Sequence, residues 1–161
     1  MKFAMLAAAV FALAPLAPLA HAQDCAPLNK VIASAVEEGF ESISGDMLED
    51  GYFETSISFF DADECSVDSI MGQYVCLWDR PTVADADKAI APLYDMAKVC
   101  LSGGWEWTDI AGEQRPNNIA ITEGYRMTRT GGAHKGAVVQ VYMDGMATQP
   151  WRQVWLEVMW E

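Results

Sequence analysis

The sequence is poor in histidine and in basic residues. Its 161 residues include two histidines and ten lysines and arginines against 23 aspartates and glutamates, so the formal net charge is −13. A surface this acidic repels phosphate backbones, which argues against nucleic acid as a partner. Only His134 lies beyond the first 22 residues. It falls in a glycine-rich stretch, 130–136, which is typical of a mobile hairpin loop and a poor place for the fixed base of a Ser-His-Asp or Cys-His catalyst.

Motifs for metals and cofactors are also missing. The chain has no C-x-x-C pair, and the glycine pairs at 103–104 and 131–132 lack the Gly-Lys-Ser/Thr ending of a phosphate-binding loop. The densest acidic cluster lacks the spacing of an EF-hand, and a turn accounts for it more simply (Asp61, Asp63, Glu64 and Asp68). We therefore expect neither a metal nor a cofactor.

Export is the clearest prediction that the sequence makes. Met1-Lys2 precedes an apolar run over 3–19, and Ala20-His21-Ala22 ends it with small residues at the −3 and −1 positions. Prolines within the run and the lack of a cationic flank after it argue against a membrane anchor. We expect a signal peptide over 1–22 and one domain over 23–161. That mature chain would carry nine basic and 23 acidic residues, a net charge of −14.

Four cysteines remain after the expected cleavage, and an even number in an oxidising compartment favours two disulfides. Of the three possible pairings, we predict Cys65–Cys76 and Cys25–Cys100. The first pair would face each other across an antiparallel hairpin whose turn falls at Ile70-Met71. The second would join the start of one helix to the end of another.

Hydrophobic periodicity predicts two helices and six strands. Positions 26–44 have helical spacing, and a second helix follows Thr82, a suitable N-cap, and ends before 103–104. Strands are expected over 52–59, 65–69, 73–78, 118–128, 137–143 and 151–160, with a loop carrying Trp105 and Trp107. The order α-β-β-β-α-β-β-β with short turns predicts an α+β domain in which two helices pack on one face of an antiparallel sheet. This topology resembles that of small bacterial secretion-chaperone folds, a likeness that brings no functional residue with it.

Tryptophan is abundant, with six residues. Trp78 and Trp160 are expected in the core, whereas the sequence leaves open whether the other four fill the core or bind a partner (Trp105, Trp107, Trp151 and Trp155). Trp155 is the strongest candidate for binding, because it alternates with the apolar residues of its strand. If the outer face of the sheet is bare, Trp155 and Met159 would form an exposed apolar patch.

Basic residues concentrate near the end of the chain, where five of the nine in the expected mature protein follow residue 110. We predict a binding surface on the outer side of the C-terminal strands and the 129–135 loop, formed by Trp155, Arg129, Lys135, Trp151 and Arg126. Alternation puts Arg126 and Arg129 on opposite faces unless Gly124 introduces a bulge. The alternative is that these arginines neutralise neighbouring carboxylates.

These features favour an exported periplasmic binding module, an accessory, chaperone-like or inhibitor-like protein, over an enzyme. Its partner would be another envelope protein or a small ligand, with no transmembrane anchor after signal cleavage. Two alternatives stay open: a small hydrolase that uses carboxylates, and a structural component of the envelope. A pocket with facing carboxylates would favour the hydrolase, and a flat outer sheet face with exposed aromatics would favour binding.

Overall fold

A computed structural model describes residues 24–116, 119–146 and 148–161, so the predicted signal peptide lies outside the described residues. The described chain forms two α-helices, one 3-10 helix and one eight-stranded antiparallel sheet. The helices are α1 (Ala26–Glu37), a 3-10 turn (Glu41–Ile43) and α2 (Val83–Cys100). The strands are β1 (Ser44–Glu49), β2 (Tyr52–Thr55), β3 (Glu64–Asp68), β4 (Gln73–Arg80), β5 (Trp105–Asp109), β6 (Ile121–Arg129), β7 (Ala137–Asp144) and β8 (Arg152–Trp160). Within the described ranges, no helix has the length and apolarity needed to cross a membrane.

The sheet has the strand order β1-β2-β3-β4-β8-β7-β6-β5. Each half of the chain is a helix followed by a four-stranded meander, and the last strands of the two meanders pair at the centre of the sheet. The predicted α+β class and the alternation of one helix with a run of strands are confirmed. Each run contains one strand more than the sequence indicated, namely β1 and β5, the two edge strands.

Both helices pack on one face of the sheet, where the alternating apolar residues of the central strands form the core. Tyr74, Cys76 and Trp78 of β4 lie opposite Val158, Leu156 and Val154 of β8 in the ladder, and all six side chains are buried. The helices contribute the other side of this core (Leu28, Val31, Ile32, Ala35, Ala86, Ile90, Leu93, Met96 and Ala97). On the opposite side of the sheet, which we call the outer face, the described residues form no α-helix.

The first helix is shorter than its periodicity predicts, ending at Glu37 rather than near 44. Gly39 and Phe40 both adopt left-handed backbone conformations, with φ of 58° and 72°. The Phe40 amide donates to the Ser34 carbonyl, and the Phe40 ring is buried in the core. Glycine adopts this conformation readily, so Gly39 stops the helix and the chain turns into β1.

The predicted strand over 52–59 is also shorter, because β2 ends at Thr55. The segment that follows is irregular but anchored: the Tyr74 hydroxyl donates to the Ile57 carbonyl and the Trp78 indole N–H donates to the Phe60 carbonyl. Conversely, the predicted loop around Trp105 and Trp107 is strand β5. The expected turn at the acidic cluster is present over 60–63.

Helix α2 begins as the sequence predicts. Its N-cap is Thr82, whose side-chain oxygen accepts a hydrogen bond from the Asp85 amide at 3.2 Å. The side chain thereby satisfies one of the free N–H groups of the first turn. The helix continues through Pro92 to Cys100.

The two disulfides join Cys25 to Cys100 and Cys65 to Cys76, the pairing that the sequence predicted. Cys65 and Cys76 are direct partners in the β3–β4 ladder, and the turn between these strands occupies 69–72. The Cys25–Cys100 bridge holds the beginning of α1 against the end of α2, with the two Cα atoms 5.4 Å apart.

The two core predictions for tryptophan have different outcomes. Trp78 is fully buried, as expected, but Trp160 is 57% exposed, so that prediction was wrong. Trp160 is the last residue of β8 and its indole N–H donates to the Lys135 carbonyl. It lies against Gly136, where a Cβ atom would come within 2.7 Å of the Trp160 ring. At the end of its strand the residue covers a turn rather than the core.

Candidate functional site

The outer face of the sheet is not bare, because the connection between β5 and β6 folds over part of it. Ile110 and Ile121, at the two ends of that connection, pack against Tyr142 of β7 and Trp155 of β8. Gly124 makes this close packing possible, since a Cβ atom there would lie 2.4 Å from the Tyr142 Cβ. Gly124 therefore allows its strand to approach Tyr142 closely. The irregularity in the β6–β7 pairing lies elsewhere, between Ile121 and Glu123.

Arg115, in the same connection, is the centre of a polar and aromatic cluster on this face. Its guanidinium carbon lies 4.8 Å from the Tyr142 ring centroid and 4.6 Å from that of Trp155, within the range of cation–π attraction. Its Nη1 donates to Glu157 Oε1 at 3.1 Å, and its Nε lies 3.7 Å from Asp144 Oδ2. The Tyr142 hydroxyl donates to the same Glu157 oxygen at 2.5 Å.

The two acids of this Arg115 cluster are buried. Glu157 is 6% exposed and Asp144 is 1% exposed. Burial raises the pKa of Glu157, and the opposing effect comes from the charge of Arg115. Burial likewise raises the pKa of Asp144, against the effects of the Trp155 N–H and of Arg115. The positive charge of Arg115 thus offsets part of the free-energy cost of burying two carboxylates.

Beside the Arg115 cluster lies a groove of about 580 Å³, the outer groove. Its floor is the outer face of β3, β4 and β8, and its two sides are the β1–β2 hairpin and Arg115. Twelve residues line it (Leu48, Glu49, Tyr52, Glu64, Ser66, Asp68, Gln73, Val75, Leu77, Arg115, Trp155 and Glu157). The volume is within the range of ordinary ligand sites in proteins.

The outer groove combines acidic and apolar surfaces. Four of its residues are acidic and one is basic, while Val75, Leu77 and Trp155 supply the apolar floor. Asp68 is buried and accepts hydrogen bonds from the amides of Ile70 and Met71, which fixes the β3–β4 turn. The charge of Asp68 also raises the pKa of the Tyr52 hydroxyl beside it.

An exposed apolar rim continues the outer groove at the tips of two hairpins. Met47 and Leu48 of β1, with Ile70 and Met71 of the β3–β4 turn, are each at least half exposed. Gly51 brings the two tips together: its carbonyl accepts hydrogen bonds from the Ser69 amide and hydroxyl. Apolar side chains concentrated beside a groove, rather than scattered singly, indicate an interaction site.

The structure separates the residues of the predicted binding surface. Trp155 lies on the outer face, half-buried beneath Arg115. Arg126 is also on the outer face but pairs with Glu113 at 2.8 Å. Trp151 is half-buried at the other end of β8, beside Arg80 and Pro81.

The other two residues of the predicted binding surface, Arg129 and Lys135, do not lie on the outer face. Arg129 lies next to Trp105 in the ladder, and it donates to the carbonyls of Gly131 and Gly103. Lys135 is exposed in the turn before β7. Arg126 and Arg129 do lie on opposite faces, as regular alternation predicted. Of the five residues, only Trp155 lines the outer groove.

Sequence reasoning did not single out Arg115, Glu157 or Asp144. Arg115 belongs to a connection without hydrophobic periodicity, and its ion-pair partner Glu157 lies 42 positions later. The one available signal was the alternation of β8, which places Glu157 on the same face as Trp155. Among the residues that the structure describes, no group of three or more histidine, cysteine or acidic side chains is arranged to hold a metal ion.

Comparison of the chain with protein-family models, with curated protein sequences and with solved structures finds no match to any of them.

Proposed function

We propose that the protein is an exported binding module that holds a cationic, partly apolar segment of a partner protein in the outer groove. The observation that carries this proposal is the lining of the groove, which combines four carboxylates with apolar side chains. Of the four, Glu49 of β1 and Glu64 of β3 are exposed and are available to an incoming ligand. The two disulfides support an oxidising compartment outside the cytoplasm.

Charge complementarity decides between ligand classes. Arg115 is the one basic residue of the groove, and it is already paired with Glu157 and Asp144. An anionic ligand would meet the uncompensated carboxylates of Glu49 and Glu64, whereas lysine or arginine side chains would form ion pairs with them. Apolar side chains of the same segment would contact Val75, Leu77 and the exposed rim.

The first prediction concerns the groove carboxylates. The probe is a blocked five-residue peptide, Lys-Leu-Lys-Leu-Lys, added to the oxidised mature protein in an isothermal titration. We expect the double variant Glu49→Gln, Glu64→Gln to bind it about tenfold more weakly than wild type, since each exposed ion pair contributes about 0.7 kcal/mol. Binding should also weaken with added salt.

A matched control removes the same two charges elsewhere. Glu37 and Glu38 are exposed at the end of α1, on the helix side of the sheet. The variant Glu37→Gln, Glu38→Gln should bind the peptide within twofold of wild type. Equal weakening of peptide binding by the two double variants would mean that only the overall charge matters, and it would contradict the proposal. Equal affinity of the wild-type protein for the acidic peptide Glu-Leu-Glu-Leu-Glu would contradict it as well.

The second prediction tests export. Protein recovered from the periplasm of an expressing bacterium should begin at Gln23, so its intact mass should lack residues 1–22. Replacing Ala20 and Ala22 by bulky residues should block cleavage, because the peptidase requires small side chains at the −3 and −1 positions. Recovery of the full-length chain from the periplasm would contradict the cleavage site, and retention of the protein in the cytoplasm would contradict export.

A second candidate function is a hydrolase that uses carboxylates. It is favoured by Glu157, an acid lining the groove whose pKa is raised by burial, as in many general acids. However, Glu157 Oε1 already accepts hydrogen bonds from Arg115 and Tyr142, so binding remains the better-supported function. A panel of nitrophenyl glycosides tests the candidate: turnover by wild type that is lost in Glu157→Gln would favour the hydrolase.

A further inference from the structure

A second cavity lies on the other side of the sheet, between the second half of α2 and strands β5 and β6. It has a volume of about 380 Å³ and is lined by Tyr94, Lys98, Trp107, Glu123 and Tyr125. Three of these five residues are aromatic. This aromatic pocket shares no residue with the outer groove.

The three rings form corners rather than a flat stack. The Tyr94 and Tyr125 centroids are 5.4 Å apart with planes at 75°, and the Trp107 and Tyr125 centroids are 5.9 Å apart at 61°. Trp107 and Tyr125 are each 37% exposed, so their rings are open to a ligand. A group seated in such a corner can contact the faces of more than one ring.

The polar side of the pocket carries negative charge. Glu123 lines it, and burial together with the neighbouring Glu123 carboxylate raises the pKa of the Tyr94 hydroxyl. Aromatic ring faces are themselves electrostatically negative and attract cations within about 6 Å of the centroid. Rings and carboxylate thus favour the same ligand, a cation.

We infer that the aromatic pocket binds a quaternary ammonium group. A primary ammonium needs several hydrogen-bond acceptors, and the faces of the rings do not supply them, whereas a trimethylammonium group has no N–H to satisfy and presents methyl groups to the ring faces. Lys98 also lines the pocket, but its ammonium is strongly hydrated, mostly exposed and 3.7 Å from Asp95 on its own helix.

The test uses choline as the probe, since it carries the trimethylammonium group without a carboxylate that Glu123 would repel. Isothermal titration of the wild-type mature protein should detect choline binding. The uncharged isostere 3,3-dimethyl-1-butanol should bind at least tenfold more weakly, because it has the same shape without the charge. Glu123→Gln should weaken choline binding severalfold.

Variants of the rings complete the experiment. Trp107→Leu should weaken choline binding about tenfold and Trp107→Phe by less, because phenylalanine retains a ring face. Trp160→Leu, at an exposed tryptophan outside the pocket, is the matched control and should leave affinity unchanged. Undetectable choline binding, equal affinity for the neutral isostere or an unaffected Trp107→Leu variant would each overturn the inference. None of these outcomes bears on the outer groove.

Discussion

Replacing Cys25 and Cys100 by alanine is expected to lower the free energy of unfolding by about 4 kcal/mol, more than any of the other substitutions proposed for this protein. The bridge joins residues 75 positions apart, so its loss frees a long loop in the unfolded chain. Urea denaturation followed by circular dichroism measures this loss. Because the unfolded state becomes more extended, the dependence of the free energy of unfolding on urea should also steepen.

Peptide binding in the outer groove provides the control for the variant Cys25→Ala, Cys100→Ala. The bridge ties α1 to α2 on the helix side of the sheet, whereas the outer groove lies on the opposite face. The folded double variant should therefore bind the Lys-Leu-Lys-Leu-Lys peptide with the same affinity as wild type. A loss of stability below about 1 kcal/mol would contradict the role given to the bridge.

Replacing Arg115 by methionine is expected to lower the free energy of unfolding by about 3 kcal/mol at neutral pH. Methionine retains an apolar chain over Tyr142 and Trp155, but it leaves Glu157 and Asp144 buried without their cation. Removing one partner of a buried ion pair leaves the desolvation of the other uncompensated. Arg126→Met is the matched control: its pair with Glu113 is partly exposed, and its loss should cost less than about 1 kcal/mol.

The Arg115→Met effect should depend on pH in a defined direction. Burial raises the pKa of Glu157 and of Asp144 in the folded protein, and removal of Arg115 raises both further. A folded acid with a raised pKa binds more protons than the unfolded chain, so stability falls as pH rises above the unfolded pKa of about 4. The difference between variant and wild type should be small near pH 4 and largest near pH 7.

Two outcomes would contradict this role of Arg115. One is equal destabilisation by Arg115→Met and Arg126→Met, and the other is a loss that does not change with pH. The double variant Arg115→Met, Glu157→Gln should recover part of the stability, because the neutral amide has a smaller desolvation cost than the carboxylate.

The sequence predicted the centre of the sheet better than its edges, for a physical reason. Strands β4 and β8 bury the face that packs against the helices, and this burial requires apolar residues at every second position, a pattern that the sequence shows. Strands β1 and β5 are exposed at nearly every position, so they show no such alternation. The disulfide between Cys65 and Cys76 was predictable because the hairpin register that pairs β3 with β4 places the two cysteines directly opposite each other.

The candidate site was less predictable, because it depends on contacts between distant segments. The position of Trp155 on the outer face followed from alternation, but the guanidinium that covers it comes from a connection 40 residues earlier in the chain. Clustering of arginines in the sequence did not reveal their partners. Arg126 pairs with Glu113 and Arg129 donates to backbone carbonyls, so neither arginine extends into the groove.

The central claim is that the outer groove is the ligand site, and amide chemical-shift mapping tests it most directly. The ¹⁵N-labelled, oxidised chain from residue 23 onward would be titrated with the Lys-Leu-Lys-Leu-Lys peptide. We expect the largest shifts on the floor and sides of the groove, at Tyr52, Ser66, Val75 and Leu77 and at the Trp155 indole. Largest shifts at Arg129 and Lys135 instead, or small shifts spread over the whole domain, would contradict the claim.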